Sequence, residues 1–399
     1  MKSTPTATLP AINSNAAIRL VSELMAIPGR SGQERKMHTA VRARLKSLGV
    51  PAPAIVEDRA QKRSPLGGDS GNLIVKLPGT IRGPRRLLMA HLDTVPLCVG
   101  SRPARKGDRI VSKDPKTALG ADDRAGVSVL LTALSEIRRR KLPHPPLTFV
   151  WPVQEEVGLL GARFLDLKKL GDPELCFNWD GGPSDVATVG ATGGMEVNIR
   201  IVGLASHAGA HPELGISAIG IAGLAIADLV ASGWHGLIVK GSRTGTSNIG
   251  FVSGGDATNV VASELAIKAE VRSHDAQFRK EILAAYKTAF EKAAKTLKNA
   301  GGATGRVEFD IFEKYESFRI AEDSPVVQTA MRAIELVGKT PTIRTTNGGL
   351  DANWMTARGY PTVTLGCGQQ DAHTVAESLH IPSYLEACRI ALALATAAV

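Results

Sequence analysis

Aromatic residues make up only 4 % of the 399 residues of this chain. Their scarcity argues against the stacking platforms that bind single-stranded nucleic acid. No apolar run has the length of a membrane-spanning helix, and the N-terminal stretch MKSTPTATLPAINSNAAIRL lacks the continuous apolar segment of a signal peptide. We therefore predict a cytoplasmic protein with no membrane and no nucleic-acid partner.

Cysteine is also rare. The four cysteines are scattered along the chain, and no two of them form a CxxC pair. This distribution favours free thiols in a reducing compartment over a disulfide framework or a zinc–thiolate site. The reducing compartment and the spacing of the cysteines therefore both argue against a metal centre with thiolate ligands.

A formal net charge of +10 can indicate nucleic acid or another anionic partner. The basic residues occur in short clusters such as 138–141, without interleaved aromatic residues or a nucleic-acid-binding motif. We interpret the charge as a solvated surface property that helps to attract anionic substrates. The alternative, a nucleic-acid-binding protein, predicts retention on DNA or RNA that depends strongly on salt.

The order of predicted elements divides the chain into two domains, as its length leads us to expect. Strands and helices alternate in residues 1–191 and again in residues 319–399, which is typical of a mostly parallel sheet covered by helices. Residues 192–318 follow the order βαββαβ, the ferredoxin-like pattern. We predict an α/β fold with a mixed, mostly parallel sheet and an inserted ferredoxin-like domain.

The start of the second predicted helix carries a capping signature. In SGQERKMHTAVRARLKSLG, Ser31 is followed three residues later by Glu34. This spacing predicts a capping box, in which the serine and glutamate side chains accept backbone N–H groups of the first turn.

Histidine and acidic residues stand at the ends of the predicted strands or in the loops beyond them. They occur in the stretches LLMAHLDTV, TALGADDRAG, VWPVQEEVG, CFNWDGG and CGQQDAHTV. Because open α/β sheets form ligand sites beyond the carboxyl ends of their strands, we expect these side chains to meet. The residues concerned are His91, Asp93, Asp122, Asp123, Glu155, Glu156, Asp180 and His373.

Each of these residues alone has a plainer interpretation, because a lone histidine is usually a surface or satisfied residue and an aspartate in a turn is usually a cap. Together they offer the nitrogen and oxygen ligands of a hydrolytic zinc or manganese site. Two histidines and three or four carboxylates suffice for two metal ions that share one carboxylate. One carboxylate would then remain unbound and could act as general base.

Five motifs follow one another along the chain: AHLDTVP, GADDRAG, QEEVGLLGA, WDGG and HTVAESLHI. In order and context they resemble the motifs of the M20 family of dinuclear zinc peptidases, most closely its peptidase T-like branch. The resemblance covers nearly the whole chain. It implies that residues 1–191 and 319–399 form a catalytic domain and that residues 192–318 form a lid and dimerisation domain.

The resemblance also implies two Zn²⁺ per chain, with Co²⁺ or Mn²⁺ as alternatives. His91 and Asp180 would bind the first ion, and Glu156 and His373 would bind the second. Asp122 would bridge the two ions.

Other motif residues would act around the metals. By resemblance, Glu155 would be the general base, and Asp93 would hydrogen-bond and orient a liganding imidazole. Asp123 is expected to be structural, because its neighbour already fills the bridging position. The chain departs from many relatives at Arg124 and Gln154, where lysine and an acidic residue are commoner, but neither residue is an implied ligand.

The insert carries a second group of candidates. GLASHAGAHPELGISAI is similar to the family's lid signature, in which His207 would reach the substrate carbonyl, often in the neighbouring subunit's site, and stabilise the oxyanion. From chemistry alone His211 is an equal choice. DATNVVASELAIKAEVRSHD would supply Asn259 and Arg272 to the substrate backbone and carboxylate, although ordinary strand polarity explains these residues nearly as well.

The segment NGGLDANW resembles a glycine-rich substrate loop. Gly348 and Gly349 would permit close approach of the substrate to the backbone. Asp351 belongs to the same segment, and a helix N-cap explains it equally well.

Together these assignments predict a dinuclear zinc exopeptidase for short peptides, most simply an aminopeptidase on tripeptide-like substrates. A metal-bridging water would attack the scissile carbonyl, and Glu155 would take its proton and deliver it to the leaving amine. The alternatives are a carboxypeptidase, a dipeptidase or an N-acyl amino acid deacylase on the same scaffold and, more distantly, a non-catalytic binding protein. Paired lids would make the protein a homodimer.

Overall fold

The computed structural model describes residues 11–397 and 399. The prediction that the N-terminus carries no signal peptide falls partly on residues 1–10, which lie outside the described residues. The α-helices of the described chain are α1 (Ser14–Met25), α2 (Arg35–Ser47), α3 (Ala60–Arg63), α4 (Ala121–Arg140), α5 (Leu160–Arg163), α6 (Ala218–Ala231), α7 (Ala276–Thr296), α8 (Pro325–Leu336), α9 (Asp351–Ala357) and α10 (Ile381–Ala395).

The β-strands carry the labels used below. They are β1 (Ile55–Glu57), β2 (Leu73–Leu77), β3 (Arg86–Met89), β4 (Pro103–Lys106), β5 (Arg109–Ser112), β6 (Leu147–Trp151), β7 (Leu175–Trp179), β8 (Val186–Ala191), β9 (Gly193–Val202), β10 (Gly236–Lys240), β11 (Arg243–Ser253), β12 (Glu264–Ser273), β13 (Arg306–Tyr315), β14 (Phe318–Arg319), β15 (Thr342–Thr346), β16 (Thr362–Leu365), β17 (Gln369–Gln370) and β18 (Ser378–His380).

The chain forms two compact units. The second domain comprises Ala191–Phe318 together with the short segment Asn347–Gly349, and the rest of the described chain forms the first domain. The use of the second domain as a lid or as a dimer interface stays a prediction.

A large mixed sheet organises the first domain, with the strand order β1-β2-β6-β3-β7-β16-β8-β14 and β15 paired to β8. Its four central strands, β6, β3, β7 and β16, run parallel. Strands β6 and β7 read LTFVW and LCFNW and are buried throughout, as expected for parallel strands covered on both faces. The predicted α/β fold with a mixed sheet is confirmed, and parallel pairing gives its centre a single carboxyl edge.

A small four-stranded sheet with the order β17-β18-β5-β4 also belongs to the first domain. It was not predicted, because its strands have only two to four residues and such short runs carry no clear periodicity. Leu379 of β18 pairs with Ile110 of β5. The sheet therefore anchors both ends of the loop between β17 and β18, which carries His373.

The second domain is a five-stranded antiparallel sheet with the order β10-β11-β12-β9-β13. Helices α6 and α7 contribute Ile221 and Phe278 to a core that they share with the sheet. Without β10, the strand order is that of the predicted βαββαβ pattern. Strand β10 was missed because it is a short edge strand whose apolar Leu237 is 75 % exposed.

Among the helices of the described residues, none combines the length and the apolar character that crossing a membrane requires.

Candidate metal centre

The candidate residues of the first domain follow the carboxyl ends of its parallel strands. His91 lies just beyond β3, Glu155 just beyond β6, and Asp180 directly after β7. His373 lies in the loop after β16 and β17, and Asp122 lies at the start of α4. This edge of the sheet is where the sequence predicted a ligand site.

Among the residues that the structure describes, two groups of three side chains could each hold a metal ion. The ligand atoms of His91, Asp122 and Asp180 lie within 4.8 Å of one another, and so do those of Asp122, Glu156 and His373. Asp122 belongs to both groups: its Oδ1 lies 3.1 Å from Nε2 of His91, and its Oδ2 lies 3.3 Å from Nε2 of His373. One carboxylate with an oxygen in each group is the arrangement of a bridging ligand.

The donor set fits two divalent cations. It consists of nitrogen and oxygen atoms, which suit zinc and manganese. Glu156 places Oε2 2.8 Å from Nε2 of His373, and its buried Oε1 has no hydrogen-bond partner within the described chain. Burial raises the pKa of Glu156 to about 7 and the pKa of Asp180 to about 6, so these carboxylates call for a compensating positive charge.

The two imidazoles differ in exposure. His91 is buried, and the side chain of His373 is 51 % exposed. Burial disfavours the charged form of His91, but hydrogen bonds to Asp122 and Asp93 raise its pKa well above the usual value. Hydrogen bonds to Asp122 and Glu156 raise the pKa of His373 to about 10. The carboxylates thus attract positive charge at both groups.

Glu155 lies beside the first group and belongs to neither. Its Oε2 is 4.0 Å from Nε2 of His91, and the residue is 8 % exposed. Burial raises the pKa of Glu155 well above its usual value. A buried carboxyl near the metal ligands, but outside them, has the position that a general base requires.

Asp93 holds the backbone of the two neighbouring glutamates. Its Oδ1 accepts a hydrogen bond from the N–H of Glu155 (2.9 Å), and its Oδ2 accepts one from the N–H of Glu156 (3.2 Å). Nδ1 of His91 lies 3.1 Å from the Asp93 carbonyl oxygen and 3.5 Å from Oδ1. Asp93 therefore connects the strand end that carries the imidazole to the loop that carries both glutamates.

The backbone conformation of Gln154 allows the two glutamates that follow it to reach one site. Its φ of 57° lies in the left-handed region, which breaks the alternation of side chains that a continuing strand would impose. Its backbone N–H and its side chain are both held by hydrogen bonds: the N–H donates to Glu34 (3.1 Å), Oε1 accepts from Ser64 (2.6 Å) and Nε2 donates to the carbonyl of Gly67 (2.6 Å).

The predicted capping box is wrong. Helix α2 begins after Glu34, whose side chain caps no N–H of the helix. Instead, the Ser31 hydroxyl donates to Oδ2 of Asp93 (2.6 Å), and Oε1 of Glu34 accepts the N–H groups of Gly32 (2.7 Å) and Gln154 (3.1 Å). The pattern instead belongs to the loop before α2, which two of these bonds connect to Asp93 and Gln154.

Asp123 has the contacts of a structural residue. Its Oδ2 accepts the N–H of His91 (3.1 Å), and its Oδ1 accepts the N–H of Gly126 (3.0 Å). The peptide bond between Asp122 and Asp123 is cis. Both oxygens of Asp123 are therefore engaged by the backbone, outside the two ligand groups.

Glu377 was missed in the sequence, although it lies in the motif HTVAESLHI. The residue is 2 % exposed, and its two oxygens accept the N–H groups of Gly120 (2.7 Å) and Asp122 (3.0 Å). Gln369, another missed residue, donates from Nε2 to Oδ1 of Asp180 (3.2 Å). These contacts orient candidate ligands. Those of Glu377 were missed because the motif HTVAESLHI was considered only for its first histidine.

His207 and His211, the two alternatives in the second domain, are distinguished by their contacts. Nδ1 of His207 accepts the N–H groups of Gly209 (3.2 Å) and Ala210 (3.0 Å), so the neutral ring carries its hydrogen on Nε2. Nδ1 of His211 lies 3.4 Å from Glu213, and its side chain is 66 % exposed. His207 therefore has a backbone-fixed tautomer with an available donor.

Arg272 lines a cavity of about 230 Å³ in the second domain, together with Thr192, His274 and Asn347. Its Nη2 donates to Glu270 (2.9 Å) and its Nη1 to the carbonyl of Asn347 (3.4 Å). The guanidinium is thus held at the wall of a small cavity.

The remaining candidates have plainer surroundings. Asn259 is exposed, and its carbonyl accepts the N–H of Ala208 (2.9 Å), which places it beside His207. Gly348 and Gly349 lie in the short segment of the second domain, where a Cβ at Gly349 would stand 2.4 Å from Cζ of Tyr315. Close packing within the chain therefore accounts for Gly349 as glycine.

A family model described as Peptidase family M20/M25/M40 matches residues 87–397. The chain belongs to the M20 peptidase family. It is a peptidase of the peptidase T-like branch, as its motifs predicted.

Similar proteins match this M20 peptidase over almost its whole length. The uncharacterized protein YqjE of Bacillus subtilis is 30 % identical over 384 residues, which are 96 % of this chain and 98 % of YqjE. The crystal structure of a tripeptidase from Staphylococcus aureus is similar with a TM-score of 0.87 and 30 % identity, over 98 % of this chain and 99 % of that one. Aminopeptidase PepT from Bacillus cereus is similar with a TM-score of 0.82 and 33 % identity, over 96 % and 98 % of the two chains.

Proposed function

We propose that this peptidase is a dinuclear zinc aminopeptidase that releases the N-terminal residue of short peptides, most simply tripeptides. The observation that carries the proposal is the pair of ligand groups that share Asp122, with Glu155 beside them and in neither. The similarity to a tripeptidase and to an aminopeptidase over nearly the whole chain supports the substrate class.

His91 and Asp180 would hold one ion, Glu156 and His373 the other, and Asp122 both. Zinc is the proposed ion because the donors are imidazole and carboxylate groups, although Co²⁺ or Mn²⁺ accept the same donors. When bound, the ions would supply an activated water and polarise the scissile carbonyl.

Glu155 would move the proton. Its carboxylate takes a proton at the start of hydrolysis and returns it to the leaving amine. Burial suits this role because it raises the pKa of Glu155, and the bond from the Glu155 N–H to Asp93 fixes the backbone that carries the carboxylate. Asp93 is a positioning residue in this proposal.

The second domain would supply substrate contacts. His207 donates from Nε2 to the oxyanion as it develops, and Arg272 pairs with the substrate carboxylate. Asn259 and the Gly348–Gly349 segment contact the peptide backbone. We also propose a homodimer formed through this domain, with the enzyme in the cytoplasm.

Metal analysis followed by a substrate panel on the same sample tests the proposal. We expect two zinc-class ions per chain and the highest kcat/KM on tripeptides with a free N-terminus, above dipeptides and N-acyl amino acids. Hydrolysis of N-acyl amino acids alone would assign a deacylase instead. Release of the C-terminal residue first would assign a carboxypeptidase.

A further inference from the structure

Asp351 is a buried acidic residue at the start of α9. The residue is 1 % exposed, and neither of its carboxylate oxygens has a hydrogen-bond partner among the described residues. Helix capping does not account for it, because the N-cap position of α9 is Leu350, whose N–H donates to Asn353 (2.8 Å). An unpaired buried carboxylate is costly, so Asp351 calls for a donor or a cation from outside the chain.

Hydrogen bonds join α9, the helix that begins at Asp351, to the chain segment that follows Glu155. Beyond the end of α9, Arg358 donates to the carbonyls of Ala162 (2.9 Å) and Leu165 (2.9 Å) and so pins the helix to the segment of α5. That segment is in turn hydrogen-bonded to Glu155, because the N–H of Leu159 donates to the Glu155 carbonyl (2.8 Å).

Asp351 interacts electrostatically with residues of the candidate metal centre. Its charge acts on Glu155, and the charges of His91, Asp93 and Asp180 act on it. Asp351 nevertheless lies outside both groups of candidate ligands. It is therefore close to the reacting groups without being one of the metal ligands.

Within residues 11–397, Asp351 meets little positive charge. His91 is the cationic group that acts on it, and a histidine that binds a metal is neutral. Burial accordingly raises the pKa of Asp351 to about 8. The missing partner must bring both hydrogen-bond donors and a positive charge.

We propose that Asp351 binds the α-ammonium group of the substrate's N-terminal residue and so restricts the enzyme to peptides with a free N-terminus. This inference rests on the proposed aminopeptidase function. In cleavage after the first residue, a single carbon separates the ammonium nitrogen from the scissile carbonyl carbon, so the partner of the ammonium must lie close to Glu155. An ammonium brings three N–H donors and one positive charge, which are what the two unpaired oxygens lack.

The test compares trialanine with propionyl-Ala-Ala, which lacks only the α-amino group, on the wild type and on Asp351→Asn. We expect the wild type to prefer trialanine by about 10²-fold in kcat/KM, because the analogue leaves a buried acceptor unpaired. In Asp351→Asn, kcat/KM for trialanine should fall about 10²-fold, and the two substrates should differ by less than about fivefold. Bound metal, measured on each sample, should stay at the wild-type level.

Glu136→Gln is a matched control. Glu136 is also a buried carboxylate of the first domain, 3 % exposed, but it is paired with Arg139 and Arg140 near the other end of α4. This variant should keep the wild-type preference for trialanine. Asp351→Glu, which retains the charge, should keep part of that preference.

Two results would overturn the inference and leave the aminopeptidase function standing. One is an Asp351→Asn enzyme that loses activity on both substrates by the same factor, as a purely structural role predicts. The other is a wild type that hydrolyses both substrates within about threefold, a result that requires no variant to fold. A wild type that releases no N-terminal alanine from trialanine would overturn the proposed function and this inference together.

Discussion

The two domains hold their candidate residues in different ways. In the first domain, buried carboxylates accept the backbone N–H groups of the site loops: Asp93 holds Glu155, and Glu377 holds Asp122. In the second domain, His207 and Asn259 are exposed, and their contacts are to neighbouring backbone groups. The reactive groups of the first domain are thus held in place before substrate binds, whereas the candidate donors of the second domain lie at its surface.

This difference has energetic consequences. A buried acceptor that loses its partner costs stability and shifts the loops it holds, whereas an exposed polar side chain can be replaced with little effect on folding. Substitutions of buried acceptors in the first domain should therefore disturb the loops that carry the candidate ligands, whereas substitutions of exposed candidates in the second domain should leave folding and metal binding unchanged.

The largest effect is expected at Glu155. Replacing Glu155 with glutamine keeps the size of the side chain but removes the base, so kcat should fall by about 10²- to 10⁴-fold. Steady-state kinetics on a tripeptide measure the loss, with Glu174→Gln as an exposed control. Turnover within about threefold of the wild type would show that another group moves the proton.

In the second domain, His207 is expected to have the next largest effect. His207→Ala should lower kcat by about 10²- to 10³-fold, because it removes a donor to the oxyanion, and the melting temperature should not change. His211→Ala is the matched control and should stay within about twofold of the wild type. If the two variants exchange these results, His211 is the catalytic histidine.

Substitution of Glu377 tests whether the hydrogen bonds that hold the backbone of Asp122 affect metal binding. Glu377→Gln replaces a charged acceptor of the Gly120 and Asp122 N–H groups, and it should weaken metal binding by about 10- to 100-fold. Titration of the metal-free protein with Zn²⁺ measures the change. An unchanged affinity would limit Glu377 to folding.

The smallest effect is expected at Arg272. Arg272→Lys keeps the charge but loses the planar pair of donors, so KM should rise about tenfold for peptides with a free C-terminal carboxylate. Peptides amidated at the C-terminus should bind both enzymes alike. An equal rise for both kinds of peptide would contradict a carboxylate contact.

Much of the fold could be predicted from the sequence, because the central strands are continuous apolar runs bounded by turns. The run LTFVW is fully buried as β6, and RVEFDIFEKY forms β13 over the predicted range. The short strands β17 and β18 and the edge strand β10 could not be predicted, because tertiary pairing rather than local pattern stabilises them.

The candidate site shows the same limit at the level of single residues. Strand-end positions pointed to His91, Asp122 and Asp180, whose ligand atoms do lie together. The residues that support the site through hydrogen bonds were missed or misinterpreted. In the sequence, the buried Glu377 cannot be distinguished from a surface glutamate, and the spacing of Ser31 and Glu34 is that of a helix cap. Partners far apart in the chain determine these roles, and local spacing does not encode them.

The most direct test of the account compares the metal content of Glu155→Ala and Glu156→Ala. If Glu156 is a ligand and its neighbour Glu155 is not, elemental analysis should find two ions per chain in the wild type and in Glu155→Ala. Glu156→Ala should retain one ion or none. Loss of metal from Glu155→Ala, with both ions kept in Glu156→Ala, would contradict the account.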